Sequence, residues 1–237
     1  MDDKSPFSPL TTPSAARPLL GMTVLVVEDS RFSSDALRLM CVRSGARIRR
    51  ADCLTSARRH LQVYLPTVAI VDMGLPDGSG ADLIEELNKA TPRIELIIGT
   101  SGDDFAQEAA LAAGADGFIA KPYGTLTDFQ QAILRRLPDA YRPTVARVAD
   151  NEAIKPDPVA FRDDLLHAAD TLKEADEDLI DYVAQFLGGL ARSAGDQGLL
   201  SAVKAVECAR KEGTGVRANV AELNGVVESR LTEAAVI

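Results

Sequence analysis

From Thr23 onward the chain alternates short apolar runs with amphipathic stretches. VLVV (24–27), RIRRA (47–51), VAIV (68–71), ELII (95–98) and GFIA (117–120) read as strands, being brief and bounded by polar or turn-forming residues. Between them, 31–44, 54–63, 79–90, 103–113 and 125–137 place apolar residues at steps of three and four, the spacing of one face of a helix. Strand and helix units in series predict an α/β fold with a doubly wound, five-stranded parallel sheet covered on both faces.

This rhythm stops at Leu137. Residues 138–158 hold four prolines and little periodicity, the composition of a linker. Beyond them, 158–173, 176–194, 196–212 and 215–233 read as four helices joined by short turns such as GD (195–196) and EGTG (212–215), which predicts an antiparallel four-helix bundle. The expected plan is a flexible leader over 1–21, an α/β domain over 22–137, a linker over 138–157 and a helical domain over 158–237. The leader is broken by prolines and has no continuous apolar core, so it reads as neither a signal peptide nor a membrane span.

Composition changes this picture little. With 237 residues, 46% of them hydrophobic, the chain is long enough to bury a core in each of two domains. The net charge of −9 argues against a nucleic-acid or anionic-membrane surface, which needs clustered lysine and arginine. Cys41, Cys53 and Cys208 are odd in number and widely spaced, and read as reduced thiols of a cytoplasmic protein.

In a doubly wound sheet the ligand site lies beyond the carboxyl ends of the strands, where the winding reverses. The residues expected there are Glu28 and Asp29 after strand one, Asp72 after strand three, Gly99-Thr100-Ser101 after strand four and Lys121-Pro122 after strand five. Three carboxylates at close range repel unless a cation joins them, and hard oxygen ligands suit Mg²⁺. Asp72 is then a potential nucleophile toward phosphorus, with Lys121 and Thr100 placed to meet phosphoryl oxygens. The alternative, that these acids merely cap the following helices, accounts for any one of them but not for all three together with Lys121.

The segments VLVVEDS, VDMGLPDGSG and GADGFIAKPY, in order at the expected strand ends, resemble the response-regulator receiver domain over about residues 22–137. The resemblance implies that Asp72 accepts phosphate from a phosphohistidine on a sensor histidine kinase or phosphotransfer protein. It also implies that Asp29, Asp72 and the Gly74 carbonyl bind Mg²⁺ directly and Glu28 through water. The activity it implies is autocatalytic phosphoryl acceptance with slow self-dephosphorylation. Counting from Asp72 puts the family's switch hydroxyl on Thr100, with Ser101 as fallback, whereas counting back from Lys121 reaches Gly99. Phe118 matches the aromatic switch position, and also reads as a core strand aromatic. Phosphorylation would shift an equilibrium at the face of helix four, strand five and helix five, a possible homodimer surface.

The helical domain carries 15 acidic against 8 basic residues over 157–237 and no cluster of the kind that reads DNA. Its second helix, AQFLGGLARSAG (184–195), puts Gly188 and Gly189 in a helix interior, each costing ~1 kcal/mol relative to alanine. This stretch resembles the motif of histidine phosphotransfer domains, with Gln185 where the phosphoaccepting histidine would stand and Gly188 where a lysine would. A carboxamide has no nucleophilic ring nitrogen, so the resemblance implies a degenerate module in which Gln185, Gly188 and Gly189 form a docking face for a protein partner. The glycines also fit close helix packing within the bundle. His167 and His60 read as ordinary residues without such a motif. A constitutive interaction scaffold and a DNA-binding regulator remain the competing functional readings.

Overall fold

The computed structural model describes residues 13–103, 105–138, 141, 154–173 and 177–234. The sheet contains β1 (Thr23–Val27), β2 (Arg47–Ala51), β3 (Val68–Asp72), β6 (Leu96–Ser101) and β7 (Gly117–Ala120), with a two-stranded hairpin of β4 (Gly74–Leu75) and β5 (Gly78–Ser79) beside it. Strand order is β2-β1-β3-β6-β7, and every pairing in the large sheet is parallel. Winding reverses between β1 and β3, so the ends of those two strands and of β6 and β7 open onto one crevice. The hairpin has no counterpart in the expected elements, and at two residues per strand it leaves no hydrophobic period to read.

Helices α1 (Arg31–Arg43), α2 (Leu54–Val63), α3 (Gly80–Lys89), α4 (Ala106–Ala112) and α5 (Leu126–Leu134) connect the strands. The buried aliphatic strand residues divide between two cores: Val24, Val26, Ile70 and Ile98 pack with Leu37 and Phe129, whereas Leu25, Val27, Val71 and Ile97 pack with Leu83 and Ala110. Helix α4 starts at Ala106 and not at 103, because Asp103 Oδ1 accepts from the Phe105 amide at 3.0 Å and forms a local turn that competes with the helix. The packed unit also starts before residue 22: Leu19 is fully buried in the core and its amide donates to the Ser44 carbonyl at 2.9 Å. Residues 1–12 of the expected leader, and 139–140 and 142–153 of the expected linker, lie outside the described residues.

The C-terminal region is all helical among its described residues: α6 (Pro158–Lys173), α7 (Glu177–Ala194), α8 (Gln197–Glu212) and α9 (Val216–Ala234). Each helix packs on the next and α6 returns to α9, closing a ring around Leu165, Leu187, Leu190, Val203, Val206 and Val227. Gly213, at φ 69°, ends α8 in the left-handed conformation that glycine adopts without strain. Asp196 begins α8 by accepting from the Leu199 amide at 2.9 Å, and Arg230 of α9 pairs with it at 2.7 Å. No described helix is long and apolar enough to cross a membrane.

Because Asp196 both caps α8 and ties α9 to it, Asp196→Ala is expected to lower the unfolding free energy by about 1–2 kcal/mol. Urea denaturation with an unchanged m-value is the check.

Candidate functional site

The site sits where the parallel strands end. Strand β1 delivers Glu28 and Asp29, β3 delivers Asp72, and the turn after β7 delivers Lys121. Gly80 makes room for this arrangement, since a Cβ there would strike the Asp72 backbone carbonyl. Carboxylate oxygens of Glu28, Asp29 and Asp72 all lie within 4.8 Å of one another. The buried Lys121 Nζ sits between two of these groups, 2.8 Å from Asp72 Oδ2 and 2.7 Å from Glu28 Oε2.

Glu28 is the most heavily engaged of the three acids: its carboxylate also accepts from the Ser30 amide at 3.2 Å and from the Tyr123 hydroxyl at 3.1 Å. Burial pushes its pKa well above the ordinary carboxylate range, and the Asp72 charge adds to the shift. Asp29 is pushed up to about 7, again by burial first and then by Asp72. Burial opposes the Lys121 ammonium, but Asp72 and Glu28 outweigh it and hold its pKa above the usual lysine value. Carboxylates that take up protons so readily are short of positive charge, and a hard divalent cation fits such an all-oxygen set.

Thr100 pairs in register with Asp72, but its buried hydroxyl donates to the Ile119 carbonyl at 2.7 Å. Ser101, one residue on, lines the small cavity beside Asp72 and Lys121. Gly99 lies opposite Phe118 across the β6–β7 ladder, and a Cβ on Gly99 would stand 3.3 Å from the Phe118 ring. Phe118 is half buried against the core of α2, α3 and α4.

The helical unit lies directly on this cluster. Helix α7 carries Tyr182, whose hydroxyl donates to Asp29 Oδ2 at 2.8 Å. Gln185 retains an exposed surface while its carboxamide lies against Gly74. The two glycines part ways: a Cβ on Gly188 would stand 3.4 Å from Val203 of α8, whereas one on Gly189 would stand 3.7 Å from Lys121 Nζ. Gln185 and Gly189 thus lie toward this chain's own carboxylate cluster, and Gly188 lies toward α8.

Helix α6 fixes the placement. Asp164, almost fully buried, accepts from Ser30 Oγ at 2.7 Å, from the Arg31 amide at 2.8 Å and from the Phe32 amide at 3.0 Å. It thereby satisfies amides at the start of α1 that no residue of α1 itself can reach. Burial raises its pKa, partly offset by these hydrogen bonds. Phe32 belongs to the core of the bundle and meets Phe161 edge-on at 5.5 Å. Sequence pattern gives no warning of Asp164 or Tyr182, because each acts on a residue more than a hundred positions away.

Comparison with known proteins agrees with the geometry. Residues 24–133 match the response regulator receiver domain family. The chain is similar to the virulence transcriptional regulatory protein PhoP of Salmonella typhimurium, 31% identical over 118 residues, covering 48% of this chain and 53% of the relative. It is similar also to the transcriptional regulatory protein PhoP of Escherichia coli K12, at 30% identity with the same coverage. The chain thus spans about half the length of the curated relatives it matches. Among solved structures it resembles a CheY-like response regulator receiver domain protein from Methanospirillum hungatei, with a TM-score of 0.45, 24% identity and coverage of 50% of this chain and 95% of the other.

Lys121→Met leaves Glu28 and Asp72 buried without their counter-charge. Such loss of one partner is expected to cost about 3 kcal/mol in chemical denaturation, and no loss would show that the acids are neutral in the folded chain.

Proposed function

We propose, from the premise that residues 24–133 are a response regulator receiver domain, that the chain is a two-component signalling protein phosphorylated on Asp72. The observation that carries this reading is the buried Lys121 ammonium, 2.8 Å from Asp72 and 2.7 Å from Glu28 at the ends of a receiver's strands. Receiver domains take their phosphoryl group from histidine kinases or phosphotransfer proteins. An Asp72 carboxylate oxygen attacks the phosphorus of a phosphohistidine; the new O–P bond forms as the P–N bond breaks, and the imidazole leaves with the electron pair. Lys121, already beside Asp72, pairs with a phosphoryl oxygen and offsets the charge that gathers there. Thr100 supplies a hydrogen bond once its hydroxyl turns from the Ile119 carbonyl, with Ser101 as the competing donor. Water later attacks the acyl phosphate and releases inorganic phosphate, which returns Asp72 to its starting state.

Asp29, Asp72 and the Gly74 carbonyl would hold Mg²⁺, with Glu28 acting through water, since Glu28 already accepts from Lys121, Tyr123 and Ser30. When bound, the ion neutralises charge on the transferring oxygens.

The helical unit is read as a degenerate phosphotransfer module whose work is protein–protein contact. Its four-helix ring, Gln185 at the histidine's position and its acidic balance support this, and the balance disfavours DNA. Phosphorylation is proposed to act through α4, β7 and α5, where Phe105 at the start of α4 and Leu111 within it are exposed apolar side chains available to a second copy. Phe118 on β7 is the proposed relay between that face and the switch hydroxyl.

Incubated with acetyl phosphate and Mg²⁺, the full chain is expected to give a retarded band in a Phos-tag gel that EDTA suppresses and Asp72→Asn abolishes. Equal mobility of wild type and Asp72→Asn would overturn the assignment. Between Thr100→Ala and Ser101→Ala, the variant whose initial labelling rate falls about tenfold, ~1.4 kcal/mol of barrier, identifies the hydroxyl that meets the phosphoryl group.

A further inference from the structure

Helix α7 meets the carboxylate cluster at three points. Tyr182 reaches Asp29 at the end of β1, Gln185 reaches Gly74 after β3, and Gly189 reaches Lys121 after β7. Steps of three and four put these residues on one face of the helix, so a single rigid surface covers three of the strand ends that define the site. What remains between α7 and Asp72 is a cavity of about 10 Å³, bordered by Asp72, Ser101, Lys121, Gln185 and Gly189. That is room for roughly one water molecule.

A phosphoryl group, with its phosphorus and three oxygens, is larger than this space, and an imidazole delivering it in line is larger again. Tyr182 also donates to an oxygen of Asp29, one of the three clustered carboxylates. The arrangement with α7 in place is therefore not the one that reacts. Gln185 stands at the centre of the covering face, and its carboxamide cannot take the phosphoryl group in the receiver's stead.

We propose that the helical module is an intramolecular plug: α7 occupies the surface that a phosphohistidine donor must use, and the donor has to displace it before Asp72 can be phosphorylated. This rests on the reading of Asp72 as acceptor. The partner that fits the uncovered surface is accordingly a protein presenting a helix with a phosphorylated histidine at the place Gln185 now holds. Because the plug is covalently joined to its target, a donor arriving from solution competes with a ligand that cannot diffuse away. The fit is closest at Gly102, where a Cβ would stand 3.2 Å from the Cα of Gly189 and 3.1 Å from the Arg192 side chain, while Gly189 faces the Lys121 side chain. Anchorage comes from Asp164 on the start of α1, the Ser33–Ser193 hydroxyl contact at 3.2 Å and Phe32 in the bundle core.

That Ser33–Ser193 contact allows the plug to be locked. In the full chain with Cys208→Ser to remove the exposed thiol, Ser33→Cys and Ser193→Cys place two sulfurs at contact across the interface. They are expected to form a disulfide under mild oxidant. The oxidised protein should then accept phosphate from acetyl phosphate and Mg²⁺ at least about tenfold more slowly than the same protein after dithiothreitol. Equal labelling of oxidised and reduced protein overturns the plug while leaving Asp72 as the acceptor. Failure of the thiols to pair overturns it as well, since docking holds them together. No labelling in either redox state, or in the Asp164→Ala chain that lacks the anchor, overturns the acceptor reading and the plug with it. Gly189→Leu, which wedges the interface without harming helix propensity, is expected to label faster than wild type and to lose hydrogen-exchange protection at the start of α1.

Discussion

One ammonium group holds the site together. Three carboxylates reach the same crevice because parallel strands all end on the same side of the sheet, and the topology allows no other placement. Their mutual repulsion is the cost of that convergence. Lys121, buried with them, is the compensating charge, and the Tyr123 hydroxyl donates to the same Glu28 carboxylate that Lys121 pairs with. Asp29, which Lys121 does not touch, takes its hydrogen bonds from the Ser30 amide and from Tyr182 of the helical unit. The second unit thus completes the polar contacts of the first.

Much of this was legible in the chain because it rests on period and order. Fully buried parallel strands read as short apolar runs, and the acids follow those runs immediately. The four C-terminal helices were legible for the same reason, and the observed α7 core of Val183, Phe186, Leu187 and Leu190 is the stripe that three- and four-residue spacing selects. What pattern cannot carry is docking between the two units. Asp164 looks like any polar residue of an amphipathic helix, yet it is buried and caps α1 from outside. Tyr182 sits between the core stripe and the solvent face, where helical period assigns it to neither.

The paired glycines show the limit most clearly. Their cost in a helix signals that something must come close, but the sequence does not say what. In the structure the two adjacent positions face different neighbours, Gly188 toward Val203 of α8 and Gly189 toward Lys121, and a Cβ at either would make ordinary contact. A helix turns by about 100° per residue, so neighbouring positions look toward different partners.

Phe32 belongs by sequence to the receiver and by packing to the bundle. Lifting the bundle exposes that ring to water, at a cost of about 1.5–3 kcal/mol, and strips Asp164 of its three donors at the same moment. The first turn of α1 therefore sets a threshold. A weak encounter leaves the two halves joined, and only a contact that repays the wetting of one aromatic side chain and one buried acid can part them. On the plug reading, the chain would filter its inputs by strength before a donor reached Asp72.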